Sequence, residues 1–110
     1  MIKDTLSKIE SAITRIQAGD SKEKNELVVL MNRLKAELSE VPDSKLDDAR
    51  SVGYFMEAAA HEVTRENSNA QLKNLSVSGI AYAVKGFEAT HPELVAVANE
   101  ICLLLARMGI

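Results

Sequence analysis

The chain has no tryptophan, one cysteine, two prolines and five glycines in 110 residues, and only 4% of it is aromatic. Each scarcity excludes something. A lone Cys102 cannot form an intrachain disulfide or a cysteine-based zinc cluster. Tyr54, Phe55, Tyr82 and Phe87 are too few and too scattered to build a base-stacking platform. Neither G-x-x-x-x-G-K-[ST] nor G-x-G-x-x-G occurs, so no glycine-rich phosphate cradle is encoded, and Gly79 and Gly86 read as packing positions. Basic excess is missing too. Residues 1–41 hold seven basic and seven acidic side chains, and residues 42–110 hold six and nine, which carries the whole net charge of −3. That balance leaves no basic face for releasing counterions from a phosphate backbone, and argues against nucleic-acid binding.

A membrane-length apolar run is also absent. The nearest approach, Leu94 to Met108, would span roughly 22 Å as a helix, short of a hydrocarbon core of about 30 Å. Glu100 sits in its middle, where a lipid-facing charge is expensive. Met1-Ile2-Lys3-Asp4 leads directly into an amphipathic repeat and shows no signal-peptide pattern. A soluble, cytoplasmic protein is expected.

What is present is ordinary globular material, 46% hydrophobic and 26% charged. It is rich in Ala, Leu, Glu and Lys, which favour helix over sheet. A single domain over residues 1–110 should bury about two-thirds of its unfolded surface, enough for a core without metal or disulfide staples.

Periodicity divides the chain. Ile2, Leu6, Ile9, Ile13 and Ile16 are spaced 4, 3, 4, 3, and Leu27, Met31, Leu34, Leu38 and Val41 repeat that spacing. Both are heptad seams of the coiled-coil kind. A helix continued through QAGDSKEKNE would put Asp20 and Lys24 on the apolar face. The seam therefore breaks there, with Gly19 suited to a helix end and Asp20 with Glu23 resembling a capping box. A helical hairpin over residues 1–41 is the reading, with one kinked helix as the alternative.

Residues 42–89 form a central pair. Pro42 closes the second helix, and Asp43 or Ser44 is placed to cap the third. In that third helix Leu46, Ala49, Gly53, Met56, Ala60 and Val63 share a face, and Asp47 and Asp48 lie in the first turn. Ser68 with Gln71 makes a second capping box. Over 75–87, Ile80, Tyr82 and Val84 alternate as in a short strand, whereas Val77, Ile80, Val84 and Phe87 make a helical stripe. Helix is preferred. A parallel stripe of Ser76, Gly79, Ala83 and Gly86 lets another backbone approach, and Ala49, Gly53 and Ala60 on the third helix offer the match.

Residues 90–110 make the last helix, with Thr90 and Glu93 as cap and box, Pro92 in the first turn and Gly109 at its end. Leu94, Val97, Ile101, Leu104 and Met108 line one face; Val95, Ala98, Cys102 and Leu105 line the next, and Leu103 fills the remainder. A helix apolar all round must be buried all round.

The segment Phe87-Glu88-Ala89-Thr90-His91-Pro92-Glu93-Leu94, followed by a helix closing on Met108-Gly109-Ile110, resembles a small family of short bacterial proteins catalogued as a domain of unknown function. Members of that family begin with a leucine-rich amphipathic helical pair and finish on an F-E-x-x-H-P-x-L helix ending in G-I. The close match covers roughly the last quarter of the chain; residues 1–41 fit more loosely, and the middle departs from the pattern. The resemblance implies no activity.

Candidate chemistry is sparse. Glu57 and His61 are i, i+4 on a helix with Glu62 adjacent, and a shared metal or small ligand is conceivable there. Bundle metal sites, however, draw Glu-x-x-His pairs from several helices, and HEVTR is not HExxH because position 65 is Arg. The plainer reading is a solvated face with an i, i+4 pair. His91, between Thr90 and Pro92, lacks the partners of a catalytic imidazole and fits a turn-positioning role. Cys102 among apolar neighbours behaves as a small hydrophobe. Asp43, Asp47 and Asp48 form an acidic patch that could face a basic target, though a solvated helix start accounts for it.

The sequence thus predicts an all-α bundle of about five helical segments arranged as hairpins, with a coiled-coil-like N-terminal pair. It carries no catalytic, cofactor or metal residues of its own. The leading functional expectation is a non-enzymatic, self-associating protein–protein interaction module, a homodimer or higher homo-oligomer. Its contact residues are Ile2, Leu6, Ile9, Ile13, Ile16, Leu94, Val97, Ile101, Leu104, Leu105 and Met108. A protein partner of different sequence, in the manner of small acidic antitoxin or immunity proteins, is a variant. The alternative is a ligand- or metal-binding bundle centred on Glu57, His61 and Glu62.

Overall fold

Heptad and helical stripes become helices wherever the sequence carries them. A computed structural model describes residues 2–17 and 21–108 and folds them into α1 (Ile2–Gln17), α2 (Lys22–Leu38), α3 (Leu46–Thr64), α4 (Ala70–Ala83) and α5 (Pro92–Arg107). Short 3-10 turns at Asp43–Lys45 and Val84–Phe87 lead into α3 and out of α4. The 75–87 region is helical, and no strand occurs among the described residues. The hairpin reading of the N-terminal pair holds, because α1 packs on α2.

The helices close into a ring: α1 lies on α2 and α3, α3 on α4, α4 on α5, and α5 back on α2. Each contributes its stripe to one core, including Ile9, Ile13 and Ile16 from α1, Leu27, Met31, Leu34 and Leu38 from α2, and Leu94, Ile101 and Leu105 from α5. The most extensive packing is that of α3 against α1 and α4.

That packing uses the small residues, but not in the pairing the sequence suggests. Gly53 faces α1 rather than α4: a Cβ there would lie 2.9 Å from Thr5 Cγ2, which is itself buried. Gly79 instead lies beneath the Phe55 ring, where a Cβ would come 2.6 Å from Cγ. Gly86 takes the Asp48 carboxylate in the same way. The α3–α4 contact is therefore large side chain over glycine, not small stripe on small stripe.

Four helix starts differ from the sequence reading, by one or two residues. The cap of α2 is Ser21, whose Oγ accepts from Lys24 N at 3.1 Å; Gly19 and Asp20 lie outside the described residues. Ser68 does not cap α4, because its hydroxyl donates back to Arg65 O at 3.1 Å. Asn69 Oδ1 takes the role, accepting from Leu72 N at 2.9 Å. Thr90 does not cap α5 either. His91 is the N-cap without a side-chain bond, and Pro92 follows at the first helical position, where its missing N–H leaves nothing unpaired. Neither Asp43 nor Ser44 caps α3, since the 3-10 turn intervenes and α3 begins after Lys45 without a side-chain cap. Gly109 lies outside the described residues.

The glycine under Phe55 yields a test. Alanine normally gains about 1 kcal/mol over glycine inside a helix, but a Cβ against the root of the ring forces overpacking, which costs roughly 1–3 kcal/mol. Gly79→Ala is expected to lower urea stability by about 1 kcal/mol net. Ser78→Ala, one residue away and exposed, should stay within about 0.5 kcal/mol. A stabilised Gly79→Ala protein would refute the close contact.

Candidate functional site

The residues expected to meet a partner are mostly spent inside the chain. Ile9, Ile13, Ile16, Leu94, Val97, Ile101, Leu104, Leu105 and Met108 are all buried in the core, and only Ile2 and Leu6 are half-buried at the start of α1. The tail helix thus finds most of its cover at home, on α2, α4 and the second 3-10 turn.

What remains outside is Leu103, 66% exposed, beside Val29 of α2, 61% exposed. They flank a groove of about 680 Å³ between α2 and α5, completed by Leu30, Leu104 and Ala106 and bounded by Glu26, Glu100 and Arg107. Arg33 Nη1 bridges to Glu100 Oε2 at 3.9 Å at one end. The sequence places Leu103 on the last apolar face of the tail helix without singling it out as a contact. It gives no sign of Val29 and its charged neighbours as a site, except that Leu27 to Met31 is five apolar residues in a row, more than one helical face can bury.

The Glu57, His61 and Glu62 trio is drawn apart by other partners, although all three border one shallow depression with Arg15 and Tyr54. Glu57 pairs with Lys8 of α1 at 3.8 Å. His61 is exposed. Glu62 is buried and turned toward the α3–α4 connection, where Oε1 accepts from Asn69 N at 3.3 Å and pairs with Arg65 Nε at 3.3 Å. Among the described residues, no group of three or more His, Cys, Asp and Glu side chains is disposed to hold a metal ion. Glu62 is thus a structural strut for the corner that starts α4.

The segment from Phe87 to Leu94 is another corner. Phe87 is fully buried, its carbonyl accepts from His91 N at 2.8 Å, and the His91 ring stands edge-on to the Phe87 ring with centroids 5.6 Å apart. His91 Nδ1 lies 2.9 Å from Thr90 Oγ1. These residues fold the turn into α5. In the acidic patch, Asp43 and Asp47 are exposed while Asp48 packs against Gly86. The exposed aromatics Tyr54 and Tyr82 lie beneath Lys8 and Lys85 respectively, which accounts for them as cation–π surface pairs. No helix among the described residues is long and apolar enough to cross a membrane.

Cys102 is half-buried, with Sγ 3.7 Å from Val77 O. Burial pushes its pKa up from 9.0 to about 11, because desolvation penalises the thiolate.

This geometry sets what substitution and thiol labelling should show. Glu62→Ala, which leaves the half-buried Asn69 N–H without its partner and removes the Arg65 tie, should destabilise by about 1–2 kcal/mol in a denaturant melt. His61→Ala should change stability by no more than about 0.5 kcal/mol. At pH 8 the Cys102 thiol should react with a disulfide reagent on the order of 100-fold more slowly than in the urea-unfolded chain, in proportion to its thiolate fraction. The sign is set by the raised pKa: the unfolded thiol ionises first. The thiol's contribution to stability is therefore intact below about pH 9 and is lost as pH rises through about 11.

Neither the curated proteins nor the solved structures compared with the chain include a match to it. A family model does match, over residues 2–110. That span takes in all five helices and both corners, and the chain belongs to the family described as Domain of unknown function (DUF4404).

Proposed function

We propose that this chain is a non-enzymatic, self-associating helical protein–protein interaction module of the bacterial cytoplasm. One observation carries it: Val29 and Leu103 stand exposed along one apolar groove between α2 and α5 that Glu26, Glu100 and Arg107 bound. Contiguous exposed apolar area of this kind marks contact surfaces. The contact lies on the outer faces of α2 and α5, since the chain itself covers the inner residues of α1 and α5. The coiled-coil-like start of α1, with Ile2 and Leu6 half-buried, offers a smaller adjunct.

Support for the ligand- or metal-binding alternative is weaker. Glu57 and Glu62, two of its three residues, already have protein partners in Lys8 and Arg65. The acidic balance and the lack of a membrane-length helix among the described residues are in keeping with the cytoplasmic setting.

Light scattering behind a sizing column, run across micromolar concentrations, is expected to give a mass above the 12.0 kDa of one chain. A strict monomer throughout that range would overturn the proposal. A tagged pull-down from the native cell should recover the untagged chain itself.

A further inference from the structure

The outer faces of α2 and α5 carry the same pattern. Glu26-Leu27-Val28-Val29-Leu30-Met31-Asn32-Arg33 and Glu100-Ile101-Cys102-Leu103-Leu104-Leu105-Ala106-Arg107 each run acid, five apolar residues, one uncharged residue, base. The first, fourth and eighth positions of both segments are exposed: Glu26, Val29 and Arg33 on α2, Glu100, Leu103 and Arg107 on α5. That spacing is a single helical stripe.

The two helices run in opposite directions here. Arg33 meets Glu100 at one end, while Glu26 and Arg107 border the groove whose middle is Val29 and Leu103. The face is therefore an apolar centre with four charged corners whose signs alternate. Such a face is complementary to itself. Turned about a two-fold axis parallel to the helices, Glu26 meets Arg107 of the second copy and Arg33 meets its Glu100. Turned about the in-plane axis across the helices, Glu26 meets Arg33 of the second copy and Glu100 meets its Arg107. Either operation sets every acid against a base and apolar centre on apolar centre. Partners carrying one sign of charge would be repelled at two corners.

We infer that the α2/α5 face is a two-fold self-docking surface, and that its occupant is the same face of a second copy of this chain. The inference rests on the self-association proposed above and names its surface. An isologous interface needs one self-complementary patch, and alternating charge fixes its register and rejects other partners. The exposed face of α4, with Leu72 and Leu75 among Asn69, Gln71, Asn74 and Ser78, has apolar area but no charges to set a register.

Sedimentation equilibrium on the full chain tests this, with circular dichroism confirming that each variant keeps its helices. The wild type is expected at twice the 12.0 kDa chain mass. Leu103→Glu should run as a monomer, and Leu75→Glu on α4 should not differ from wild type. Glu26→Arg with Glu100→Arg makes the corners all positive; Arg33→Glu with Arg107→Glu makes them all negative. Each double variant alone should associate at least roughly tenfold more weakly, as like charges facing each other require. Mixed in equal amounts, the two should recover the wild-type dimer. A wild type that associates while Leu103→Glu and both charge variants associate equally well would overturn the surface assignment. So would dissociation by Leu75→Glu instead. Either result leaves self-association standing, whereas a monomeric wild type removes both.

Discussion

The bundle depends on α3 lying close against two helices at once. Its one side meets α1 where Gly53 gives up a side chain to Thr5, and its other side meets α4 where Phe55 covers Gly79. A helix between two neighbours normally trades closeness on one side for closeness on the other, because bulky residues set interaxial distances. Here the bulk and the gaps sit on different faces. Gly53 opens one face, while Phe55 fills a gap opened in the neighbour. With α1 and α4 both drawn in, their own partners α2 and α5 are brought near enough to close the ring.

Closing that ring leaves helix ends inside the structure, and the side chains that satisfy them come from distant parts of the chain. Lys45 Nζ donates to Gly86 O at 2.8 Å, where the second 3-10 turn ends. Lys73, itself buried, donates to Met108 O at 3.3 Å at the C-terminus of α5. A cation at a helix C-terminus is favoured both by the orphan carbonyls and by the helix dipole. Glu62 does the reverse service at the start of α4, accepting from Asn69 N. Helix boundaries in this protein are therefore tertiary contacts as much as local ones.

This explains which parts were legible in the sequence. The stripes were, because a spacing of 3 and 4 is decided within two turns and needs no knowledge of the neighbour. Caps were legible only to the nearest residue. Ser68 and Asn69 have similar capping chemistry, and the choice falls to Asn69 because Glu62, seven residues back, holds its N–H. At α5 the Phe87 carbonyl accepts from both Thr90 N and His91 N, and the helix starts at Pro92, with His91 as its cap. The burial of Lys73 has no local sign at all. The largest misjudgement of cover concerned α5. Its apolar surface reads as needing another molecule, but the long-range closure of α5 on α2 supplies most of the cover, and only Leu103 is left out.

That remainder matters more than its size. A core residue such as Leu104, directly beside Leu103 in sequence, is explained by the fold; Leu103 is not. On α2 the same holds for Val29 beside Leu30. Two unexplained apolar residues on neighbouring helices would be unremarkable if their flanks were arbitrary, since single surface hydrophobics are common. Their flanks are not arbitrary: an acid stands three residues before each and a base four residues after. Folding the chain requires Arg33 near Glu100, and an exposed ion pair of that kind contributes little, about 0–1 kcal/mol. The fold alone therefore does not account for the same pattern on both helices. Self-docking as proposed would use it in full, because every corner is used once by each partner.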